Sequence, residues 1–356
     1  MTASDLAPID PPASTLVIEL TQRCNHDCRY CYNVWKNDPH YPSGELGTAD
    51  TLASICRALD ESGVRHVTLS GGEPLLRHDL MAIIEALRAR SVGINLVTNG
   101  TLLDEATVGR LSPDKVSVFE LPLLSSVAAV HDELSGVVGA HEKATLAIAN
   151  LKLAGQTVVA VFVATQRNVA TLAETLEMAF ALGVDGVMLN RFNPGGRGWS
   201  QAEALTLDPE VLRQALDLAN DFTATHGLPV SCSIAMPACL FDHQRWPELS
   251  FGPCAVGTPE CYPTIDPLGN VRPCNHSRLI LGNLRADSFN ALLHGRALQQ
   301  FAAAHPAFCD DCPLVATCQG GCKAAAEVCF GDARRCDPFL LAYRDQAHKP
   351  RGPAQG

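Results

Sequence analysis

Residues 16–31 read Leu16-Val-Ile-Glu-Leu20-Thr-Gln-Arg-Cys24-Asn-His-Asp-Cys28-Arg-Tyr-Cys31, a short apolar run that ends in a loop carrying three cysteines. The run Leu16–Leu20 is nearly continuous in apolar residues, as expected of a strand buried on both faces of a parallel sheet. Five further runs of this kind follow, at His66–Leu69, Ile94–Val97, Val116–Phe119, Val158–Ala164 and Gly186–Leu189. Helical periodicity fills the gaps at Thr51–Glu61, Leu80–Arg90, Ala106–Leu111, His141–Ala154 and Thr171–Leu182, and Gly63, Gly93, Gly155 and Gly183 close several of these helices. Strands alternating with helices predict βαβ crossovers and a parallel sheet. Six units fall short of the eight of a closed barrel, so the expectation is an α/β fold built as an open, partial (βα)6 barrel.

The chain has 356 residues, enough for about two domains. A net charge of −11 disfavours nucleic acid and anionic membrane surfaces as partners. The longest strictly apolar run, Val158–Ala164, is far below the ~20 residues of a membrane span. Nothing near Met1 has the basic flank and apolar stretch of a secretion signal, so the expected location is the cytoplasm. Asn193-Pro-Gly-Gly-Arg-Gly198 reads as a loop, followed by a helix over Pro209–His226 with Asp208 as N-cap. From Cys254 the texture changes to dense Cys, Gly and Pro with one helix candidate, Leu292–Ala303. The expected domains are a flexible 1–13, a barrel over 14–230, a cysteine-rich domain over 231–345 and a flexible tail over 346–356.

Fifteen cysteines, an odd number in a long, core-rich chain, read as metal ligands rather than a disulfide framework. A 4Fe–4S cube needs four ligands, so Cys24, Cys28 and Cys31 would leave one iron open to an outside ligand. The alternative is a structural zinc site completed by His26. Ser70-Gly-Gly-Glu-Pro74 ends the second strand. Gly71 and Gly72 allow close backbone approach, and Glu73 is able to accept a hydrogen bond from an ammonium; alone, the segment reads as a common turn. Farther on, Cys254, Cys261 and Gly269-Asn-Val-Arg-Pro-Cys274 precede Cys309-x2-Cys312-x5-Cys318-x3-Cys322, with Cys336 beyond. Eight thiolates make two closed sets of four, or a pair of zinc knuckles.

Cys24, Cys28, Tyr30 and Cys31, together with Gly71-Gly72-Glu73-Pro74, resemble the core of the radical S-adenosylmethionine (radical SAM) superfamily. The resemblance covers about Thr15 to Arg197 and includes Thr98-Asn99-Gly100. It implies that the three cysteines hold a 4Fe–4S cluster whose open iron binds the amino and carboxylate groups of SAM. It also implies that Gly71, Gly72, Glu73, Pro74 and Asn99 belong to the SAM site, with Tyr30 near the adenine. One electron from such a cluster cleaves SAM to methionine and a 5′-deoxyadenosyl radical, which abstracts a substrate hydrogen. Many relatives carry a Ser-Leu-Asp-Gly-like segment after the fourth strand to hold the ribose. Here the corresponding stretch is Phe119-Glu-Leu-Pro122, so Glu120 substitutes or the ribose is held otherwise.

The C-terminal pattern is similar to the SPASM domain, which binds two auxiliary 4Fe–4S clusters. Carried over, Cys254, Cys261, Cys274 and Cys322 ligate the first and Cys309, Cys312, Cys318 and Cys336 the second. Cys329 competes for the last place, and family spacing favours Cys336. The stretch from Cys261 to Gly269 is shorter than usual in that family. Electron relay is the expected use of these clusters, substrate ligation the alternative. Where the sulfatase-maturing branch has an Asp base, this chain has Asn275, which accepts no proton at neutral pH. Asp266 and His276 are read as loop residues rather than bases. Cys56 is expected to pack in the core, and Cys232 and Cys239 to pack rather than donate hydrogen atoms. His131-Asp132 and Gly136 read as a solvated loop.

The resemblance implies an enzyme that modifies a peptide or protein side chain, using SAM, three 4Fe–4S clusters and a donor such as flavodoxin or ferredoxin. With some 14 residues ahead of the first strand, no fused peptide-recognition domain is expected, which calls for a separate peptide carrier or recognition within the barrel. The alternatives are a small-molecule substrate, such as a tetrapyrrole or cofactor precursor, and a non-catalytic iron–sulfur carrier.

Overall fold

The computed structural model describes residues 15–36, 38–111 and 114–341; the expectations for 1–13 and 346–356 lie outside the described residues. The chain alternates β1 (Leu16–Glu19), α1 (Thr48–Ser62), β2 (His66–Ser70), α2 (Leu80–Ala89), β3 (Gly93–Val97), α3 (Glu105–Arg110) and β4 (Val118–Pro122). It continues through α4 (Ala128–Ser135), α5 (Ala140–Leu153), β5 (Val158–Ala164), α6 (Leu172–Ala181) and β6 (Gly186–Arg191). After α7 (Ala202–Leu205) and α8 (Pro209–His226) come two three-residue strands, β7 (Val230–Cys232) and β8 (Leu249–Phe251). All eight strands pair in parallel in chain order, β1 at one end and β8 at the other. The parallel run therefore outlasts the six strands read from the sequence, because three-residue strands carry too little pattern to register.

The C-terminal region joins the same sheet. Its strands β9 (Thr264–Ile265), β10 (Asn270–Arg272) and β11 (Gly282–Asn283) extend it beyond β1, with β9 parallel to β1 and the others antiparallel. The edge of the partial barrel is thus paired with the following segment rather than left open. Helices α9 (Phe289–Leu293), α10 (Arg296–Ala302), α11 (Val315–Cys318), α12 (Lys323–Phe330) and α13 (Pro338–Leu341) complete the region. The helix expected over Leu292–Ala303 is split, because Gly295 caps α10 after α9 has ended.

The strands are not buried equally on both faces. In β5, Val158, Ala160, Phe162 and Ala164 are buried while Val159, Val161 and Val163 stay partly exposed, and β3 and β4 alternate likewise. One face packs against Ile83, Ile84 and Leu87 of α2 and Ile148 and Leu151 of α5, forming the main core. The other face lines an interior that these side chains leave incompletely filled. The reading of strands buried on both faces holds for β1 and most of β6 and is corrected for β3, β4 and β5, whose inner-face residues, Asn95 and Glu120 among them, stay partly exposed.

Two buried ion pairs tie the strands to the C-terminal region. Arg272 of β10 pairs with Glu19 of β1, both buried. Arg191, at the end of β6, donates to Asp337 at 2.5 Å and to the Ala235 carbonyl at 2.9 and 3.1 Å. Arg272→Ala leaves the Glu19 carboxylate without its partner, and removing one member of a buried pair costs about 3–5 kcal/mol. Urea unfolding of the apo chain checks this; a loss under 1 kcal/mol would mean the pair is solvated in practice.

Candidate active site

The three-cysteine loop lies where β1 ends and is gripped from three sides. From β2, Gly72 donates its N–H to the Thr21 carbonyl at 2.7 Å and Glu73 donates to Arg23 at 2.8 Å. A Cβ at Gly72 would lie 2.1 Å from the Arg23 carbonyl oxygen, and one at Gly71 (φ +126°) 2.6 Å from that of Thr21. The two glycines are what allow strand end and cysteine loop to touch.

From α4, the Leu134 carbonyl accepts the Arg29 N–H at 2.9 Å. Gly136 (φ +69°) sits so close that a Cβ would be 2.4 Å from the Asp27 carbonyl oxygen. This segment is a helix, not the solvated loop expected for His131-Asp132: His131 is fully buried, and Asp132 accepts the N–H groups of Gly139 and His141. The sequence offers no side-chain N-cap to announce it.

The third grip is the loop 193–198. Gly198 donates to the Cys31 carbonyl at 2.9 Å, Arg197 pairs with Asp27, and a Cβ at Gly196 would meet the Asn33 carbonyl oxygen at 2.2 Å. The glycines of Asn193–Gly198 were visible in the sequence, but the surface they press against was not.

His131 accepts the Leu124 N–H through Nδ1 at 3.2 Å, and burial holds its pKa down at about 4. An unfolded histidine titrates near 6.5. The folded state therefore resists protonation, so stability present above pH 6.5 drains away as pH falls towards 4. The loss should be about 2–3 kcal/mol. His131→Gln, which keeps an acceptor without a titrating group, is expected to flatten that part of the stability–pH curve; an unchanged slope would contradict the assignment.

Glu73 is fully buried and holds two strand ends together. It accepts from Leu75 N–H (3.0 Å), Thr98 Oγ1 (2.7 Å) and Asn99 N–H (2.8 Å), and burial raises its pKa. Asn99 in turn donates to Asn25 of the cysteine loop at 2.7 Å, and Asn25 donates to Thr101 at 2.9 Å. The ends of β1, β2 and β3 thus form one hydrogen-bonded ledge. Pro74 begins the short turn that follows. Phe119-Glu120-Leu121-Pro122 lies inside β4 rather than after it. Glu120 there hydrogen-bonds to Asn95, which also meets His66 at 2.9 Å.

Cys24, Cys28 and Cys31 are partly buried free thiols. Burial pushes all three pKa values up, Cys31 to about 11, and Cys28 feels the charges of Cys31 and Cys24. The Tyr30 hydroxyl hydrogen-bonds to Cys28. Three soft sulfur donors on one braced loop suit iron–sulfur ligation, which must displace their protons. Both ring nitrogens of His26 are buried with no partner among the described residues, and burial lowers its pKa.

The C-terminal cysteines form two further gatherings. Cys254, Cys274 and Cys322 line a pocket together with Tyr262, His276 and Phe301. Cys274 feels the charges of Cys322 and Cys254, and Tyr262 feels all three. Cys261 is buried beside Tyr262 in the turn before β9, and is not among the residues lining the cavity. In the other gathering, Cys309 feels the charges of Cys312, Cys318 and Cys239. Cys336 is buried, and the next residue, Asp337, accepts the Cys322 N–H at 2.9 Å. Cys329 lies within electrostatic reach of Cys322.

Side chains bridge the first cysteine loop and the cavity. Tyr32, directly after Cys31, stacks on His276 with ring centroids 4.1 Å apart and accepts from Asn275 at 3.1 Å. Asn193 meets His276 Nδ1 at 3.1 Å and Cys322 Sγ at 3.4 Å. Burial lowers the His276 pKa to about 3, so its ring is neutral. Asp266 is a buried turn residue accepting from Tyr41 and Asn270. Cys232 is buried in the core, as expected, while Cys239 is exposed.

The site is thus an open parallel barrel with a three-thiol loop at its strand ends and a cysteine-rich region paired to its edge. Residues 18–186 match the model of the radical SAM superfamily, and residues 254–313 match SPASM, an iron–sulfur cluster-binding domain. The chain belongs to the radical SAM superfamily and carries a SPASM domain. It is 27% identical over 347 residues to the PqqA peptide cyclase of Gluconobacter oxydans, covering 95% of this chain and 94% of that one. It is 29% identical over 360 residues to the pre-heme d1 synthase of Dinoroseobacter shibae, covering 92% and 86%. In fold it resembles Streptococcus suis SuiB bound to its precursor peptide SuiA, with a TM-score of 0.73, 15% identity, and coverage of 94% and 76%. Among the described residues no helix is long and apolar enough to cross a membrane.

Proposed function

We propose that this enzyme uses SAM to modify a side chain of a peptide. The carrying observation is the brace around Cys24, Cys28 and Cys31, which holds three thiols beside the ledge of Glu73 and Asn99 at the mouth of a partly unfilled barrel. In this reading those thiolates hold a 4Fe–4S cluster, and Gly71, Gly72, Glu73, Pro74, Asn99 and Tyr30 line the SAM site. When bound, the cluster supplies the one electron that splits SAM into methionine and the 5′-deoxyadenosyl radical.

This chain's residues do the rest by placement. Gly71 and Gly72 bring the end of β2 against the backbone of the cysteine loop. Glu73 keeps its carboxylate in that ledge, an acceptor suited to an ammonium group. Val159, Val161 and Val163 offer hydrogen-bond-free walls that keep water from a reactive intermediate. Tyr32, His276 and Asn275 connect the loop to the Cys254–Cys274–Cys322 pocket, whose thiols suit an auxiliary cluster. A further set at Cys309, Cys312 and Cys318 gives three clusters in all.

A peptide substrate is supported by the near full-length match to a peptide cyclase. A carrier protein presenting that peptide, a flavodoxin or ferredoxin as electron donor and a cytoplasmic location belong to the same reading, as does a boundary between barrel and SPASM domain after β8 rather than near residue 230. The match to a pre-heme d1 synthase favours a tetrapyrrole as the second reading. The test is anaerobic reconstitution followed by SAM and dithionite. The expected product is 5′-deoxyadenosine; its absence from a chain carrying about twelve irons, four per cluster, would leave an electron carrier as the better account.

A further inference from the structure

We propose that Glu120 is an anionic subsite of the barrel interior, binding an ammonium or guanidinium group of the substrate peptide. The inference rests on the reading of the barrel mouth as a SAM-cleaving site that acts on a peptide. Glu120 is the middle residue of β4. Its neighbours Phe119 and Leu121 are fully buried in the core, while Glu120 stays partly exposed on the inner face. The parallel register sets it level with Val97 of β3 on one side and Val159 of β5 on the other, both partly exposed on the same face. A carboxyl group thus stands in an apolar wall. Tyr32, directly after Cys31, feels its charge, which puts it within electrostatic reach of the cysteine loop.

The carboxyl is held in place without being neutralised. His66 Nε2 meets Asn95 Oδ1 at 2.9 Å, and the Asn95 amide donates its N–H to Glu120. Two other buried carboxylates of these strands have their charge met: Glu19 by Arg272, and Glu73 by three donors. Glu120 has Asn95, and among the described residues no Lys or Arg acts on it. An ionised carboxylate offers about four acceptor positions, so Glu120 keeps acceptors open to the interior. Burial raises its pKa, a penalty that a cation placed beside it offsets. A weakly partnered buried carboxylate costs the fold stability, which fits a group kept for a ligand. An ammonium or guanidinium entering there gains charge-assisted hydrogen bonds; SAM itself carries positive charge, so its affinity must be measured alongside.

The test is calorimetric titration of the reconstituted, SAM-loaded full chain with the capped tripeptides Gly-Lys-Gly, Gly-Arg-Gly and Gly-norleucine-Gly. The parent, Glu120→Gln and Glu120→Asp are compared, with melting temperature as the fold control. The parent is expected to bind the Lys or the Arg peptide about tenfold tighter than the norleucine one, the scale of one hydrogen bond to a charged group. Glu120→Gln should lose that preference and Glu120→Asp should keep part of it. Equal affinities of the parent for charged and neutral peptides, or no binding of any, overturn the subsite, as does a preference that survives in Glu120→Gln. A fall in SAM affinity in Glu120→Gln, with no peptide preference in the parent, assigns the carboxylate to SAM and overturns it as well. The parent's 5′-deoxyadenosine formation separates the two readings. If nucleoside forms, these failures leave the SAM-cleaving reading standing; if none forms, that reading falls and the subsite falls with it.

Discussion

Cys28→Ala, reconstituted anaerobically, is expected to carry about eight irons where the parent carries about twelve, and to form no detectable 5′-deoxyadenosine. Cys28 hydrogen-bonds to Tyr30 and feels both other cysteines. Two remaining thiolates cannot hold a cubane corner against loss of iron. The fold should survive, because the loop's grip runs through the backbones of Thr21, Arg23, Arg29 and Cys31 rather than through the sulfur. Iron content, nucleoside yield and a thermal melt separate the outcomes. A variant with full iron and undiminished nucleoside would remove Cys28 from the site.

Gly72→Ala should be nearly as damaging without touching a ligand. The added methyl would lie 2.1 Å from the Arg23 carbonyl oxygen and 2.6 Å from its carbon. Both are backbone atoms that no rotamer change can move, so the strand end and the cysteine loop must separate. Overpacking of this kind costs about 1–3 kcal/mol in stability. The larger effect is catalytic, since a displacement of about 1 Å at a positioned reactant costs about 100-fold in rate. The expected result is at least that loss of 5′-deoxyadenosine formation, with iron content near normal. Gly109→Ala in α3 is the control, because nothing lies within 4 Å of its Cβ position. If the two variants behaved alike, close approach of β2 to the loop would not matter.

Much of the barrel was legible because its cause is local. Leu16–Glu19, Val158–Ala164 and their fellow strands are apolar runs bounded by turns, and Cys24, Cys28 and Cys31 share eight residues of chain. The functional proximity of Gly71 and Gly72 to that loop was readable only through the resemblance, since nothing in a Gly-Gly pair states what its backbone will touch. Two features escaped because they depend on distant surfaces. The helix Ala128–Ser135 lacks a side-chain cap and is held by burial of His131 and Leu134. The loop 193–198 owes its glycines to contacts with Cys31 and Asn33, more than 160 residues away in sequence.

The most direct measurement is deuterium transfer. The reconstituted enzyme is incubated with SAM, dithionite and a candidate precursor peptide prepared with perdeuterated side chains. The account predicts deuterium in the 5′-deoxyadenosine and a matching mass change in the peptide. Nucleoside free of deuterium beside an unchanged peptide, from a protein with all its irons, would contradict a peptide side chain as the site of hydrogen abstraction.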